Sequence, residues 1–299
     1  MGAAEPRIVS GLLSCLMACA ANAGYCFDLS EPNPGVFVHA GRQLALDMPG
    51  HDDIANIGFI VGKKCVAVID SGGSLRIGRE LRAAVMQHTA LPVCYVINTH
   101  VHFDHVLGNA AFETDKPSFV GHAALTQAMA RSRELFVTQY GGDVVAPDLV
   151  VEHELTLDLG GRQLQLHAWP TAHSDCDLTV FDRQTGSLWT GDLLFRERLP
   201  ALDGSLKGWL SVLDELTRMQ VALAVPGHGP VTRAFKSALI PEREYLEALA
   251  EGIHGELSEG RPLEHAIQHV AAAQKPRWLL WDSVHPHNVV RAYEELEWE

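Results

Sequence analysis

Residues 99–105 read THVHFDH, so His100, His102, Asp104 and His105 place four metal-binding side chains within six residues. Three more residues of the same chemical kind follow: His173 in TAHSDCD, Asp192 in WTGDLLF and His228 in VPGHGP. Asp70, in VIDSGG, precedes them. Imidazole and carboxylate suit zinc or iron, and His-x-His on an extended end lets both rings turn to one side. A single histidine in a loop usually meets solvent or a core partner, and a single Asp at a strand end usually closes a turn. The HxHxDH run differs, because four ligand-type residues at that spacing rarely arise without a metal. No G-x-S-x-G run offers a protein nucleophile as an alternative.

These residues must be positioned by regular elements. GVFVH (35–39), IGFIV (57–61) and CVAVID (65–70) read as strands, the last ending in a Ser-Gly-Gly turn. SLRIGRELRAAVMQH (74–88) has apolar residues at helical spacing. VCYVINT (93–99) is a buried strand that delivers THVHFDH at its C-terminal end, and SFVGH (118–122) is a further short strand. Residues 123–140 read as helical. A second strand-rich stretch follows: two strands over 150–169 around Gly160-Gly161, then a hairpin over 178–195 turning at Asp182–Gly186. Helix is expected over 206–219, a strand running into a tight turn over 221–230, and a long helix over 231–259. The final HNVVRAYEELEWE has Val289, Tyr293 and Leu296 on one face and acids on the other. Two strand-then-helix halves without a low-complexity linker predict a single α/β domain of two packed sheets with helices outside.

Asp70, His100-x-His102-x-Asp104-His105, His173, Asp192 and His228, in that order, resemble the five motifs of the metallo-β-lactamase superfamily. The resemblance spans roughly residues 35–235. It implies an αβ/βα four-layer sandwich with a metal site at one edge between the sheets. Residue by residue, it implies that His100, His102 and His173 hold a first zinc, that Asp104, His105 and His228 hold a second, and that Asp192 bridges them. Asp70 would hold the HxHxDH loop and orient ligands without touching metal. β-Lactamases of this fold usually carry Cys or Ser where Asp192 stands, so antibiotic hydrolysis is a lesser reading. The flanking text, DIANIGFIVG, INTHVHFDHVLGNAAF, DLTVFDRQTGSLWTGDLLFRERLPALDGSLKGWL and the terminal ELEWE, is similar to the quinoprotein relay system zinc metallohydrolases, which include sulfur-oxidation-cluster homologues and are exported.

The activity this resemblance implies is hydrolysis of an ester, thioester or amide/lactam bond by a hydroxide bridging two zinc ions, with Asp104 as a catalytic residue orienting the attack. Arg196, Arg198 and Lys207 follow Asp192 and are candidate contacts for an anionic substrate group, and His122 is a candidate pocket residue. Asp203-Gly204-Ser205 reads as a turn or cap before the helix at 206. The main rival is a persulfide dioxygenase-like oxidoreductase with one iron on His100, His173 and Asp192, since both schemes use the same side chains. Flavodiiron chemistry is disfavoured by His102, where those proteins carry Glu. A non-catalytic binder is disfavoured by the complete set of seven ligands.

Composition narrows the partners. The 299 residues carry a formal charge of −14 and no basic run, which excludes nucleic acid as a general partner and leaves a small-molecule substrate. Residues 8–20 form an apolar and small-residue run after Arg7, followed by Ala21-Asn22-Ala23. This predicts a signal peptide over 1–23, cleaved before Gly24, with the single domain over 24–299 and a periplasmic or secreted location. The run is too short for a comfortable membrane span. LMAC (16–19) also matches a lipoprotein box that would anchor Cys19. After cleavage Cys26, Cys65, Cys94 and Cys176 remain, with three pairings open.

Overall fold

A computed structural model describes residues 27–298. The expected leader, the lipoprotein-box match and Cys26 lie outside the described residues.

Seven strands form one sheet in sequence order: β1 (Ser30–Asn33), β2 (Val36–His39), β3 (Ile57–Val61), β4 (Val66–Ile69), β5 (Val93–Ile97), β6 (Ser118–His122) and β7 (Leu149–Val151). β1 to β4 pair antiparallel, whereas β4 to β7 pair parallel. The second sheet runs β12-β11-β10-β9-β8, built from β8 (Glu154–Asp158), β9 (Gln163–Ala168), β10 (Leu178–Asp182), β11 (Ser187–Phe195) and β12 (Leu223–His228). Its strands pair antiparallel except for β11 with β12.

Strand alternation separates the layers. Ala67 and Ile69 of β4 point into the space between the sheets and meet Leu166, Val180 and Trp189 of the second sheet. Val66 and Val68 point the other way, under α1 (Leu75–His88), whose Ile77, Leu81 and Val85 recur at helical spacing. Ser74 starts that helix by accepting the Ile77 N–H at its Oγ, 3.2 Å away. On the far side, α4 (Leu206–Leu216), α5 (Phe235–Ser258) and α7 (Trp281–Leu296) cover the second sheet through Trp209, Leu246, Leu249 and Val289. The result is the expected four-layer αβ/βα sandwich. Two further helices are α3 (Leu125–Leu135) and α6 (Leu263–His269).

Two local features depart from the sequence reading. The HxHxDH end is not extended throughout: Phe103–Val106 form a short helix, α2. The edge strand β1 precedes every expected strand, and the stretch from 150 to Gly160, expected as one strand, divides into β7 and β8, which join different sheets. Cys65 and Cys94 form a disulfide across the neighbouring strands β4 and β5, while Cys176 is buried and free.

Candidate metal centre

The parallel strands β4 and β5 end side by side, and each hands a loop to the same edge of the sandwich. Asp70 follows β4 in the left-handed region, at φ 53°, a conformation that is strained for any residue but Gly and is best tolerated by Asn and Asp. Its carboxylate lashes down the next loop. Oδ1 accepts the Thr99 N–H at 2.8 Å, and Oδ2 accepts from Thr99 Oγ1 and His105 Nδ1, each at 2.8 Å. In the second sheet, the β11–β12 register breaks around Gly191, which aims Asp192 toward the same edge. A Cβ at Gly227 would lie 1.8 Å from Asp192 Oδ1, so only glycine leaves room for that carboxylate.

The seven predicted ligands are brought together as two groups, His100, His102, His173 and Asp192, then Asp104, His105 and His228. Within each group the ligand atoms lie within 4.8 Å of one another. Asp192 faces both: Oδ1 is 3.2 Å from His105 Nε2, and Oδ2 is 3.3 Å from His228 Nε2 and 3.5 Å from His173 Nε2.

The imidazole protons decide what this cluster can hold. His173 Nδ1–H donates to the Ala201 carbonyl at 2.7 Å, and His228 Nδ1–H donates to the Ile54 carbonyl at 2.8 Å. A carbonyl only accepts, so the Nε2 of each neutral ring presents a lone pair. His105 donates through Nδ1 to Asp70, and His100 through Nδ1 to Thr99 Oγ1, whose own proton goes to Asp70. His102 is reversed: its Nε2 faces Asp203 Oδ2 at 3.0 Å, which leaves Nδ1 inward. With each ring neutral, five lone pairs therefore converge with the Asp104 and Asp192 carboxylates. His102 Nδ1 lies 3.0 Å from His100 Nε2 and 2.9 Å from His173 Nε2. His105 Nε2 and Asp192 Oδ1 are both buried and lack any hydrogen-bond partner among the described residues. Electron-rich atoms so close repel unless positive charge sits among them. The donor set fits divalent metal.

The electrostatics agree. Burial holds the His100 imidazole well below its ordinary pKa and brings His173 down to about 4, so both stay neutral and able to ligate. Burial also opposes charge on His105, yet the carboxylates of Asp192, Asp104 and Asp70 outweigh it and raise that ring well above its ordinary value. Positive charge is thus drawn to the centre of the cluster. Asp192 is buried, but His228, His105 and His100 hold its carboxyl well below the usual range.

A cavity of about 570 Å³ opens onto the cluster, lined by His102, Asp104, Asp192 and His228 on its floor and by Leu135, Phe136 and Tyr140 on one wall. That size accommodates a small organic molecule. Arg198 also lines it; the residue is only 7% exposed, donates to the Leu44 carbonyl, and pairs with no carboxylate among the described residues. The other candidate contacts stand elsewhere. Arg196 turns away to the Pro230 and Val231 carbonyls and lines a different cavity. His122 accepts the Ala124 N–H and does not line the cavity, nor does Lys207. Asp203 was read as part of a turn, yet its carboxylate sits between His102 and His287, at 3.0 and 2.7 Å. Nothing local marks that role, because both partners are distant in sequence.

The sequence of residues 51–228 matches the model of the metallo-beta-lactamase superfamily. The chain belongs to this superfamily. The superfamily is generally hydrolytic, and the converged His/Asp groups fit a metallohydrolase. Solved structures agree on the superfamily fold. A metallo-beta-lactamase from Pontibacter korlensis is 20% identical, with a TM-score of 0.63, covering 74% of this chain and 98% of that one. The stereoselective inverting sec-alkylsulfatase Pisa1 from Pseudomonas sp. is 16% identical, with a TM-score of 0.69, over 90% of this chain but only 50% of its own length. The protein TMB-1 is 17% identical with a TM-score of 0.60, over 74% and 96% of the two chains. No curated protein matches the chain by sequence.

Proposed function

We propose that this superfamily member is an exported binuclear zinc hydrolase of the quinoprotein relay system type, cleaving an ester, thioester or amide/lactam bond in a small molecule. The observation that carries this reading is the convergence of five oriented imidazole lone pairs and two carboxylates at the floor of a cavity. His100, His102 and His173 would hold one zinc, Asp104, His105 and His228 the other, and Asp192 would bridge them. Zinc so placed supplies a water acidified to near neutrality and a Lewis acid for the scissile carbonyl. Asp104 stands 3.4 Å from His228 Nε2 with its carboxylate at the cavity floor, where it can orient the attacking water. Asp70 fixes the tautomers of His105 and, through Thr99, of His100. The intact second group, Asp104, His105 and His228, supports two metals over the single iron of a persulfide dioxygenase-like site.

Export is supported by the Cys65–Cys94 disulfide, since such bonds persist mainly in oxidising compartments. Among the described residues no helix is long and apolar enough to cross a membrane. The test is metal content per chain, by mass spectrometry, on protein exported to the periplasm and purified without a metal-affinity tag. About two zinc ions, with turnover on an ester, thioester and lactam panel, support the proposal. About one iron with little zinc overturns it and directs attention to oxygen consumption with persulfides.

A further inference from the structure

The superfamily match ends at His228, yet the loop that supports two of the candidate ligands is held from α7, well beyond it. We infer that α7 is a working part of the metal centre: one face of this helix positions His102 and His173 by clamping the loop 200–207. The inference rests on the metal-binding reading proposed above.

His287, Arg291 and Glu295 recur at four-residue intervals and share a face, with Asn288 beside them. On a surface helix such residues would meet water; here they bind one loop. Asn288 is fully buried. Its Oδ1 accepts the Leu202 N–H at 2.9 Å and its Nδ2 donates to the Pro200 carbonyl at 2.7 Å. Those contacts fix the chain on both sides of Ala201, whose carbonyl takes the His173 Nδ1 proton. His287 Nε2 donates to Asp203 Oδ1 at 2.7 Å, while the other oxygen of that carboxylate faces His102. Arg291 donates to the Asp203 backbone carbonyl at 3.1 Å. Glu295 anchors the far end, accepting from Ser205 Oγ at 2.8 Å and the Leu206 N–H at 2.6 Å.

The opposite side of α7 carries Val289, Ala292 and Leu296 into the helix–sheet core. The helix therefore transmits the position of that core to the loop. Both contacts from the loop to the ligands set an imidazole's direction and tautomer, which in metal sites govern affinity. His287 and Asn288 are positioning residues, since neither reaches the ligand cluster itself.

The experiment uses the full chain and zinc or cobalt alone as the probe. Zinc dissociation constants are measured by competition with a chromogenic chelator for wild type, His287→Ala, His287→Gln and Asn288→Ala. Cobalt absorption spectra and the melting temperature of the metal-free proteins are recorded alongside. His287→Ala should weaken the zinc held by His100, His102 and His173 by roughly 10-fold, and Asn288→Ala by roughly 10- to 100-fold. The other zinc should change by less than about 2-fold, the cobalt spectrum should shift, and His287→Gln, which keeps an N–H donor, should recover most of the loss. Unchanged zinc affinity in His287→Ala, with only a lower melting temperature, overturns the inference by showing a merely structural helix. Should Asn288→Ala fail to fold, the half-exposed His287 decides alone. If wild type binds neither zinc nor cobalt, the metal-binding reading itself has failed, a result distinct from a failure confined to the variants.

Discussion

Asp70→Asn offers a sharp test of how the cluster is wired. Asparagine is nearly isosteric and tolerates the positive φ of 53° at this position, so the backbone is kept. Its amide oxygen must stay on the Thr99 N–H, which is a donor. The NH2 group then occupies the place of Oδ2, facing His105 Nδ1. It donates where a carboxylate accepted, which drives the His105 proton onto Nε2 and removes the lone pair offered toward Asp192 and the second group. Thr99 Oγ1 loses the same acceptor, so its proton turns to His100 Nδ1 and drives the His100 proton onto Nε2 as well. Losing the partner of a ligating imidazole costs about 10- to 100-fold in metal affinity. Asp70 is 1% exposed and His105 fully buried, so solvent cannot substitute for the lost acceptor. The upper end applies, about 100-fold or ~2.8 kcal/mol, and it applies to both metals, one through His100 and the other through His105. Chelator competition should show both zinc ions strongly weakened. Nitrogen-15 NMR of the imidazoles should show His105 in the Nε2–H form in the metal-free variant. Two zinc ions bound with wild-type constants would refute the assigned proton pattern.

Four further outcomes follow from the same structure. Gly227→Ala should displace the Asp192 carboxylate, because the added methyl would lie 1.8 Å from its Oδ1; metal analysis of the purified variant should show both ions depleted. Burial pushes His285 down to about 4, below its unfolded value of about 6.5, so the unfolded chain takes up the extra proton. Stability of the metal-free protein should be full above about pH 6.5 and fall toward pH 4, with the slope flattened in His285→Gln; calorimetry across that window checks it. Protonated His285 would also lose its role as acceptor for Tyr245 OH, 3.0 Å away, in the network that reaches Asn288. Cys65→Ser should cost ~3–4 kcal/mol in urea unfolding, the chain-entropy value for a sequence separation of 29. Arg198→Ala should raise KM for a carboxylate-bearing ester by roughly 10-fold, with neutral esters and metal content unchanged, which steady-state kinetics on paired substrates would resolve.

The amino-acid sequence by itself determined the strands that carry the site and the identity of the converging ligands. The reason is local: β4 and β5 are continuous apolar runs that give way to polar residues, and in β11 Asp192 stands directly after Gly191. HxHxDH is legible because its four residues are close in sequence. His173, Asp192 and His228 become legible only through their order in a family pattern. Tertiary structure decided the rest. It chose which of the nearby cations lines the cavity: Arg198 folds inward while Arg196 is captured by the Pro230 and Val231 carbonyls, a difference no spacing encodes. It fixed the tautomers, since the Ile54 and Ala201 carbonyls that hold His228 and His173 are backbone atoms carrying no residue-type signal. It also turned the polar face of α7 from a solvent surface into a clamp on the loop 200–207, because amphipathic periodicity shows which side of a helix is polar but not what that side will meet.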